Sequence, residues 1–368
     1  MPTLLMCKDI PVLRLGNGST QVLNYDLLPP VLRKPDVNIE DYYYSWIAYR
    51  TLQIERTNAK TLLNGLRLSQ INKAAICRAC HGLNLTDVYW IQEEGENLTW
   101  KDINLYHNDI SRPIAATALL GVNLTFGINQ PIHTPELTVG GVSAKGWIRE
   151  AGQLYLYKVG RKEVAASQIL RQLGIWHVPY TVVPADKLLE IADKSRIDRI
   201  HEQNECIVRC PIISSEERSL VHFEEFAAYC EYHERNPYQE ILQLDQRHYL
   251  EMQVADYILN NSDRHGLNWG LYMDNQTGQF QSLYPLLDHD HAFSSETQIL
   301  SQTTEKEPVS LRDAALAAQK QLGLPIASLL QMKKPDTLFQ KEWKDVLERA
   351  QLLCRPRESK LEQDCYIE

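Results

Sequence analysis

The sequence predicts an α+β fold in which a β-rich lobe precedes a helical lobe, with an extra, mostly helical region at the N-terminus. Three observations lead to this prediction. Strand-like segments separated by turn residues occupy much of residues 138–213. Amphipathic helical segments dominate residues 214–353, and residues 36–90 show an approximately helical apolar spacing. We therefore expect three units, at residues 1–105, 106–213 and 214–368.

The composition excludes several classes of protein. The chain of 368 residues is 44% hydrophobic and 23% charged, as in an ordinary globular protein. Its net charge of −9 argues against direct nucleic-acid binding, and no apolar run approaches the ~18 residues of a membrane span. The first residues lack the basic and apolar parts of a signal peptide. Eight cysteines are too few for a disulfide scaffold, so we expect reduced thiols and a cytoplasmic protein.

The N-terminal region has no motif that assigns it a role. Short strands are predicted in residues 4–28 and helices in residues 36–90. Residues 70–83, followed by 84–91, could form a helix-turn-helix. Basic residues accompany it: Arg50, Arg56, Lys60, Arg67, Lys73 and Arg78. A helical packing unit is favoured over a DNA-contacting one, because charges on a helix usually face only water.

Cys77, Cys80 and His81 match the spacing of a c-type haem attachment site. That chemistry requires export, of which the sequence shows no sign, and a structural zinc would need two further ligands. Cys206 and Cys210 form another close pair, but they fall in a predicted strand. Buried free thiols are therefore the expectation for these cysteines.

Paired glycines at Gly140 and Gly141 open the second unit, and Ser143 and Lys145 follow them. Because glycine lets the backbone approach a ligand closely, successive amides of this loop could face phosphate oxygens. A plain hairpin or bend is the alternative interpretation. The strand and helix that follow this loop in the sequence favour the phosphate-binding interpretation.

Lys158 lies in a predicted strand, residues 152–159, on the same face as Leu154 and Leu156. Residues 161–173 form a strongly amphipathic helix with Glu163 in its first turn. A strand lysine paired with a helix glutamate positions nucleotide phosphates in kinases. The alternative is a lysine at a sheet edge and an acid that favours the helix N-terminus.

The predicted elements continue to the end of the chain. Strands are expected in residues 176–184 and 205–213, with an adenine-binding hinge at 211–215. A helix begins in residues 221–226, and a second, residues 249–260, leads to the catalytic segment. Residues 294–308 are polar and suit a loop near the substrate or a plain linker, and closing helices are expected in 314–330 and 338–353.

The strongest chemical signal is the pair Asp263 and Asn268, five positions apart. This is the interval between the base and the metal-binding amide in kinase catalytic loops. Residues 269–273 and 280–287 predict a hairpin whose open ends place Asn268 beside Asp288. Their oxygens are ligands suited to Mg²⁺ with a triphosphate, and Asp290 is a second candidate ligand. A structural turn and a His/Asp metal hydrolase are the competing interpretations.

These residues resemble a known family. The pattern Asn261-x-Asp263-x-His265-x-x-Asn268, the segment ending at Asp288 and the Gly-Gly-x-x-x-Lys loop are similar to those of HipA-like serine/threonine kinases, over about residues 134–293. The resemblance implies a bilobal protein-kinase-like fold, ATP and Mg²⁺ as cofactors, and a protein Ser/Thr acceptor.

It also implies roles for individual residues and partners. Asp263 would handle the acceptor proton, with His265 and Lys158 as further catalytic residues. The nucleotide would contact Gly140, Gly141, Ser143, Lys145, Lys158 and Glu163, and the metal would contact Asn268, Asp288 and Asp290. Autophosphorylation would have Thr138 and Ser143 as candidates. Members of that family often act as toxins beside a small DNA-binding antitoxin, so the resemblance implies such a partner. A small-molecule phosphotransferase and a kinase-shaped interaction module stay open as alternatives.

Overall fold

The computed structural model describes residues 3–16, 19–34, 38–123, 132–304 and 309–354. The charged C-terminal segment 355–368 and residues 305–308 of the predicted polar loop lie outside the described residues. The N-terminal region begins with a four-stranded antiparallel sheet in the order β3-β2-β1-β4. Its strands are β1 (Thr3–Cys7), β2 (Ile10–Gly16), β3 (Ser19–Val22) and β4 (Tyr89–Glu93).

Short helices fill the sequence between β3 and the second lobe. They are α1 (Ile39–Arg50), α2 (Ala59–Gly65), α3 (Lys73–Ala79), α4 (Trp100–Ile103) and α5 (Arg112–Leu120). The side chain of Asn38 caps α1 by accepting a hydrogen bond from the Glu40 amide at 3.3 Å. The region thus contains the expected helices together with a sheet. The helix-turn-helix prediction is wrong, because the segment after α3 continues into strand β4.

A second four-stranded antiparallel sheet, in the order β5-β6-β8-β7, forms the β-rich lobe. Its strands are β5 (Lys145–Glu150), β6 (Gln153–Val159), β7 (Thr181–Val182) and β8 (Ile207–Pro211). Helix α6 (Arg161–Leu173) buries Ile169, Leu170 and Leu173, as its sequence periodicity predicts. The polar connection before β8 holds two further helices, α7 (Ala185–Leu189) and α8 (Lys194–Glu202).

The helical lobe is built around one long helix and a small sheet. Its elements are β9 (Arg218–His222), α9 (Phe223–Tyr232), α10 (Pro237–Leu259), β10 (Gly270–Asp274), β11 (Phe280–Leu283), α11 (Leu311–Leu322) and α12 (Gln340–Cys354). The backbone of α10 leaves the helical region at Asp245 (φ −160°, ψ 67°), which produces a kink. The helix is continuously buried from Glu251 to Leu259 and leads into residues 260–268, the predicted catalytic loop.

The hairpin of β10 and β11 has the predicted turn. The Asp274 carboxylate accepts hydrogen bonds from the amides of Gln276 (2.9 Å) and Thr277 (2.7 Å). Gly278 completes the turn with φ +70°, and a Cβ there would come within 2.0 Å of the Asp26 carbonyl oxygen. The turn is therefore packed closely against the N-terminal region, which the sequence alone did not indicate.

The main hydrophobic core joins the N-terminal region to the helical lobe. It contains Leu5 and Trp90 together with Ile258 and Trp269, each at most 1% exposed. Mixed antiparallel sheets and helices in this arrangement confirm the predicted α+β class. Among the helices that the structure describes, none is both long and apolar enough to cross a membrane.

Candidate active site

The predicted catalytic segment follows directly from the end of α10. Asn260 ends this helix in a left-handed conformation, φ +47°, and its side-chain amide donates to the carbonyl oxygens of Ser294 (2.8 Å) and Glu296 (2.9 Å). Asparagine tolerates that conformation better than most residues. The helix end and the segment after Phe293 are therefore held together on one side of the catalytic loop.

Asp263 and His265 lie at the exposed surface of this loop. Their side chains are 40% and 38% accessible, and Nε2 of His265 is 3.6 Å from Oδ2 of Asp263. The Leu267 amide donates to Nδ1 of His265 at 3.2 Å, so the proton of the neutral ring resides on Nε2, towards Asp263. Asp263 is thus accessible to an acceptor group while a neighbouring ring donor faces its carboxylate.

Arg264 braces the loop from below. Its side chain is 2% accessible, and its Nε donates to Oδ1 and Oδ2 of Asp256 at 3.1 and 3.2 Å. Its Nη1 donates to the carbonyl oxygens of Asn268 and Leu287, both at 2.7 Å. One guanidinium therefore fixes both open ends of the hairpin. This buried network makes Arg264 a structural brace of the loop.

This brace brings Asn268 and Asp288 to the same place, as the hairpin predicted. The carboxamide nitrogen of Asn268 donates to the Asp263 carbonyl oxygen at 2.7 Å, which leaves the carboxamide oxygen as the end available to a cation. Asp288 has a left-handed backbone, φ +59°, at the end of the hairpin. Strained backbone of this kind in a residue other than glycine clusters at functional sites.

Lys158 lies at the centre of a buried ionic cluster. Its Nζ is 2.5 Å from Oε1 of Glu163, 2.6 Å from Oδ1 of Asp288 and 3.9 Å from Oδ2 of Asp290. Oε2 of Glu163 accepts a hydrogen bond from the His289 amide at 3.0 Å. The strand lysine, the helix glutamate and the acid after the hairpin are thus one connected group across the two lobes.

The charged groups of this cluster stabilise one another in their ionised forms. Burial opposes the ammonium of Lys158, but the carboxylates of Asp288, Glu163 and Asp290 outweigh it and hold its pKa well above the usual value. Burial likewise opposes the carboxylates of Asp288 and Glu163, and Lys158 nevertheless lowers the pKa of each. All three groups are therefore ionised at neutral pH.

Lys145 differs from Lys158 in having a buried charge without a partner. It is 8% exposed, it lies opposite Lys158 in the β5–β6 register, and within the described ranges its ammonium forms no hydrogen bond or ion pair. Burial lowers its pKa to about 8, with Asp288 opposing and Lys158 and Arg56 adding to the shift. An ammonium held this way is suited to receive an anion.

The glycine loop lies directly over this ammonium. A Cβ at Gly141, where φ is +82°, would be 2.5 Å from Nζ of Lys145, whereas Gly140 faces open space. Gly141 is therefore favoured by its backbone conformation, whereas a small movement of the flexible Lys145 side chain would relieve the contact with Nζ. Gly141 and Lys145 of the predicted loop therefore lie in contact, whereas Gly140 does not face the lysine.

Ser143 connects this loop to the other lobe. Its Oγ donates to Oδ2 of Asp290 at 3.1 Å, across 147 positions of sequence. Thr138, the other residue considered for autophosphorylation, is 3% exposed, and its hydroxyl donates to the Leu83 and Pro135 carbonyl oxygens. In this conformation Ser143 is the more accessible of the two hydroxyls.

Sequence reasoning missed several residues around the site. Asp256, which holds Arg264 and Asn261, is an acid within an otherwise apolar helical stretch, and that contrast was a usable signal. His222 lies near His265, and burial, with His265 adding to it, lowers its pKa to about 4. Its neutral Nδ1 is 3.1 Å from the Tyr284 hydroxyl, a contact without a sequence signal.

The cysteine motif of the N-terminal region does not form a metal site. Cys77 and Cys80 are buried, and Nδ1 of His81 contacts the Ile91 carbonyl oxygen at 3.1 Å. Across the described part of the chain, no group of three or more His, Cys, Asp or Glu side chains is placed to hold a metal ion. The thiols of Cys77, Cys80 and Cys210 are free and buried as expected, whereas that of Cys206 is free but only half-buried.

Comparisons with known proteins define the fold of this site. No protein-family model matches the sequence, and no curated protein matches it. Among solved structures, the chain is similar to the Shewanella oneidensis toxin–antitoxin system HipA, HipB and its operator DNA complex. That match has a TM-score of 0.53 and 12% identity, and it covers 95% of each chain.

A second solved structure is more distant. The Helicobacter pylori proinflammatory kinase CtkA matches with a TM-score of 0.40 and 12% identity, over 57% of this chain and 89% of that chain. A match of that strength adds nothing to the comparison with HipA, which extends over nearly the whole chain. The predicted resemblance to HipA-like proteins is therefore confirmed at the level of the fold.

Proposed function

We propose that this protein is an ATP-dependent kinase that transfers the γ-phosphate to a protein Ser/Thr hydroxyl. The observation that carries the proposal is the unpaired, buried ammonium of Lys145 beneath Gly141, with Asp288 contributing to its electrostatics from the opposite lobe. A positive charge beneath a glycine loop is complementary to the negative charge of a triphosphate. Lys158, oriented by Glu163, supplies a second positive charge beside it.

The residues present also fit a magnesium ion. Asn268 offers its carboxamide oxygen and Asp288 its carboxylate, and these are the hard ligands that Mg²⁺ prefers. Asp290 is the further candidate ligand, at present bonded to Ser143. A bound ion would neutralise charge on the phosphates. Lys158 now holds Asp288, so nucleotide binding would require the lysine to exchange part of that contact for phosphate oxygens.

Asp263 is the group proposed to accept or orient the proton of the attacking hydroxyl. It is exposed enough to meet an acceptor, and Nε2–H of His265 faces its carboxylate. Arg264 and Asn268 fix the backbone of its loop, so little reorganisation is needed when the acceptor arrives. Catalysis here rests on positioning and charge neutralisation.

Partly buried apolar side chains are proposed to receive the adenine. Leu156 of β6, Ile213 after β8 and Leu287 before the metal segment all pack against one small buried cluster. They come from both lobes, so a flat ring placed among them would lie between the lobes. Ile213 lies within the hinge segment that the sequence indicated.

A toxin role with a DNA-binding antitoxin partner is part of the same proposal. It draws on the solved complex of HipA with HipB and operator DNA, whose fold extends over this chain. The positive charge of the N-terminal region gives direct DNA contact little support. Arg50 and Arg56 are buried in ion pairs with Asp87 and Glu136, and Nζ of Lys73 donates to the Leu52 carbonyl oxygen at 2.7 Å.

The test is phosphate transfer from labelled ATP with Mg²⁺ by the purified protein, alone and with cell extract. Asp263→Asn is expected to lower transfer by about 10²–10⁴-fold while leaving ATP affinity nearly unchanged. Asp336→Asn, which alters an acid at the surface, is the matched control and should retain full activity.

The destination of the label separates the alternatives. Label on protein serine or threonine supports the proposal, whereas turnover only with an added small alcohol or amine would indicate a small-molecule kinase. ATP binding without transfer would indicate an interaction module. Equal activity of Asp263→Asn and the unaltered protein would refute the role of Asp263.

A further inference from the structure

The glycine loop is held in place by a segment about 80 residues earlier in the chain. The Thr57 amide donates to the Val142 carbonyl oxygen at 2.9 Å. Nη2 of Arg56 donates to the Lys145 carbonyl oxygen at 2.5 Å, and its Nη1 lies 3.4 Å from that of Val139. Carbonyl groups at the start, middle and end of the loop therefore face the N-terminal region.

This anchoring has a direct consequence for the amides of the loop. In a trans peptide the N–H of each residue points opposite to the preceding carbonyl group. Fixing the carbonyls of Val139 and Val142 therefore turns the amides of Gly140 and Ser143 away from the N-terminal region. It also keeps carbonyl oxygens, which would repel phosphate, from pointing to the side that these amides face.

Arg56 forms this contact from a fully buried position. It is 3% exposed and lies 3.4 Å from Glu136, which is 0% exposed and accepts a hydrogen bond from the Trp147 amide at 2.7 Å. Burial lowers the pKa of Arg56 and raises that of Glu136, in each case against the attraction of its partner. A buried ion pair with such a desolvation cost is weak support for stability alone, which favours a positioning role.

The N-terminal region is fixed to the other lobe as well. Nη1 of Arg33 donates to the Gly278 carbonyl oxygen at 2.7 Å, at the turn of the hairpin that ends at Asn268 and Asp288. The Leu220 amide donates to the Thr86 carbonyl oxygen at 2.7 Å. Through these contacts the N-terminal region links the glycine loop to β9 and to the β10–β11 hairpin, which carries Asn268 and Asp288 at its ends.

We propose that the N-terminal region is a built-in positioning element of the nucleotide site, and that Arg56 is the residue through which it fixes the glycine loop. The proposal gives a function to the described part of residues 1–105 and rests on the proposed ATP site. Arg56 contacts Glu136 and the loop carbonyl oxygens of Val139 and Lys145, so it acts through the loop backbone. Whatever shifts this region would shift the loop, and nucleotide affinity would change with it.

Arg56→Lys and Glu136→Gln test the anchor with small changes of volume. Arg56→Lys keeps the charge but cannot reach the loop carbonyls and Glu136 at once, and Glu136→Gln keeps an acceptor for the Trp147 amide. The matched control is Arg50→Lys. Arg50 forms a buried pair with Asp87 (2.5 Å) in the same region, without contact to the glycine loop.

The first measurement needs no nucleotide. Hydrogen exchange of the Thr57 amide reports its bond to Val142 directly. We expect exchange to accelerate by at least about tenfold in Arg56→Lys and Glu136→Gln, and to stay within about twofold in Arg50→Lys. Equal exchange at Thr57 in the two arginine variants, whether fast or slow, would overturn the proposal.

The second measurement separates positioning from general destabilisation. We expect Arg56→Lys to raise the dissociation constant and KM for ATP by about tenfold, with kcat changed by less than about threefold. Arg50→Lys should lower the melting temperature to a similar extent but leave KM unchanged. A fall in kcat without a rise in KM would also overturn the proposal. Absence of ATP binding by the unaltered protein would refute the proposed function, and the exchange comparison at Thr57 would still decide the anchor.

Discussion

Replacing Lys145 with methionine should stabilise the folded protein while weakening its nucleotide site. The pKa of Lys145 is about 8 in the folded protein, against 10.5 for an ordinary lysine. A difference of roughly 2.5 pH units corresponds to about 3 kcal/mol of unfavourable free energy whenever the lysine is charged in both states. Methionine fills a similar volume without that charge, so the variant should gain up to about 3 kcal/mol in unfolding free energy at pH 7.

The pKa of Lys145 also determines how the stability difference changes with pH. Between pH 8 and 10.5 the folded protein has released the Lys145 proton and the unfolded chain still holds it, so the stability of the unaltered protein rises with pH in this window. The advantage of Lys145→Met should therefore be constant below pH 8 and shrink steadily above it. Nucleotide affinity of the unaltered protein should fall by about tenfold from pH 7 to pH 9, as the charged fraction of Lys145 falls from about 0.9 to 0.1.

Urea unfolding at pH 7 and pH 9.5 measures the first effect, and equilibrium binding of ATP at pH 7 and pH 9 measures the second. Lys60→Met, an exposed lysine of α2, is the control and should change stability by less than about 0.5 kcal/mol. A Lys145→Met variant that is less stable than the unaltered protein at pH 7 would refute the reasoning. So would a variant that gains stability yet binds ATP equally well at pH 7.

Two further changes test the architecture beneath the site. Arg264→Met should lower the unfolding free energy by about 3–5 kcal/mol, because it leaves the Asp256 carboxylate buried without its cation. Adding Asp256→Asn should recover part of that loss. Full additivity of the two changes in a double-mutant cycle would contradict the proposed brace. Lys158→Met should destabilise the protein most at neutral pH and progressively less below about pH 4. Lys158 lowers the pKa of Glu163 and Asp288, so the stability that this pairing contributes is present above the unfolded-chain values of about 4 and is lost as the pH falls below them. Urea unfolding at pH 7 and pH 3 measures the difference, and an equal loss of unfolding free energy at both pH values would contradict the pairing.

Local patterns in the sequence carried much of the site geometry. The hairpin that places Asn268 beside Asp288 depends on turn residues within ten positions, and the helix with Glu163 follows the strand of Lys158 directly. Turn residues and amphipathic spacing of this kind can be recognised from the sequence alone. The roles assigned to these side chains in binding nucleotide and metal stay predictions until transfer and binding are measured.

Contacts between distant segments had no comparable signal. Strand β4 pairs with β1 from more than 80 positions away, so a stretch with helical spacing ended in a sheet. Arg56 was counted as one basic residue among six, and nothing in its neighbourhood of sequence indicated that it would be buried beside Glu136. Its destination depends on packing between units, which local propensity does not encode.

The two lysines of the paired strands explain why the site needs support from outside its own lobe. Lys158 has carboxylate partners on both sides, so its position is fixed by the ion pairs themselves. Lys145 has no such partner among the described residues, and its charge is repelled by Lys158 and Arg56. A loop over a cation without an ion-pair partner gains no restraint from that cation, so its backbone must be fixed by other contacts. The bonds from Arg56 and Thr57 provide that restraint, and in the proposed site they leave the ammonium of Lys145 free to pair with a phosphate.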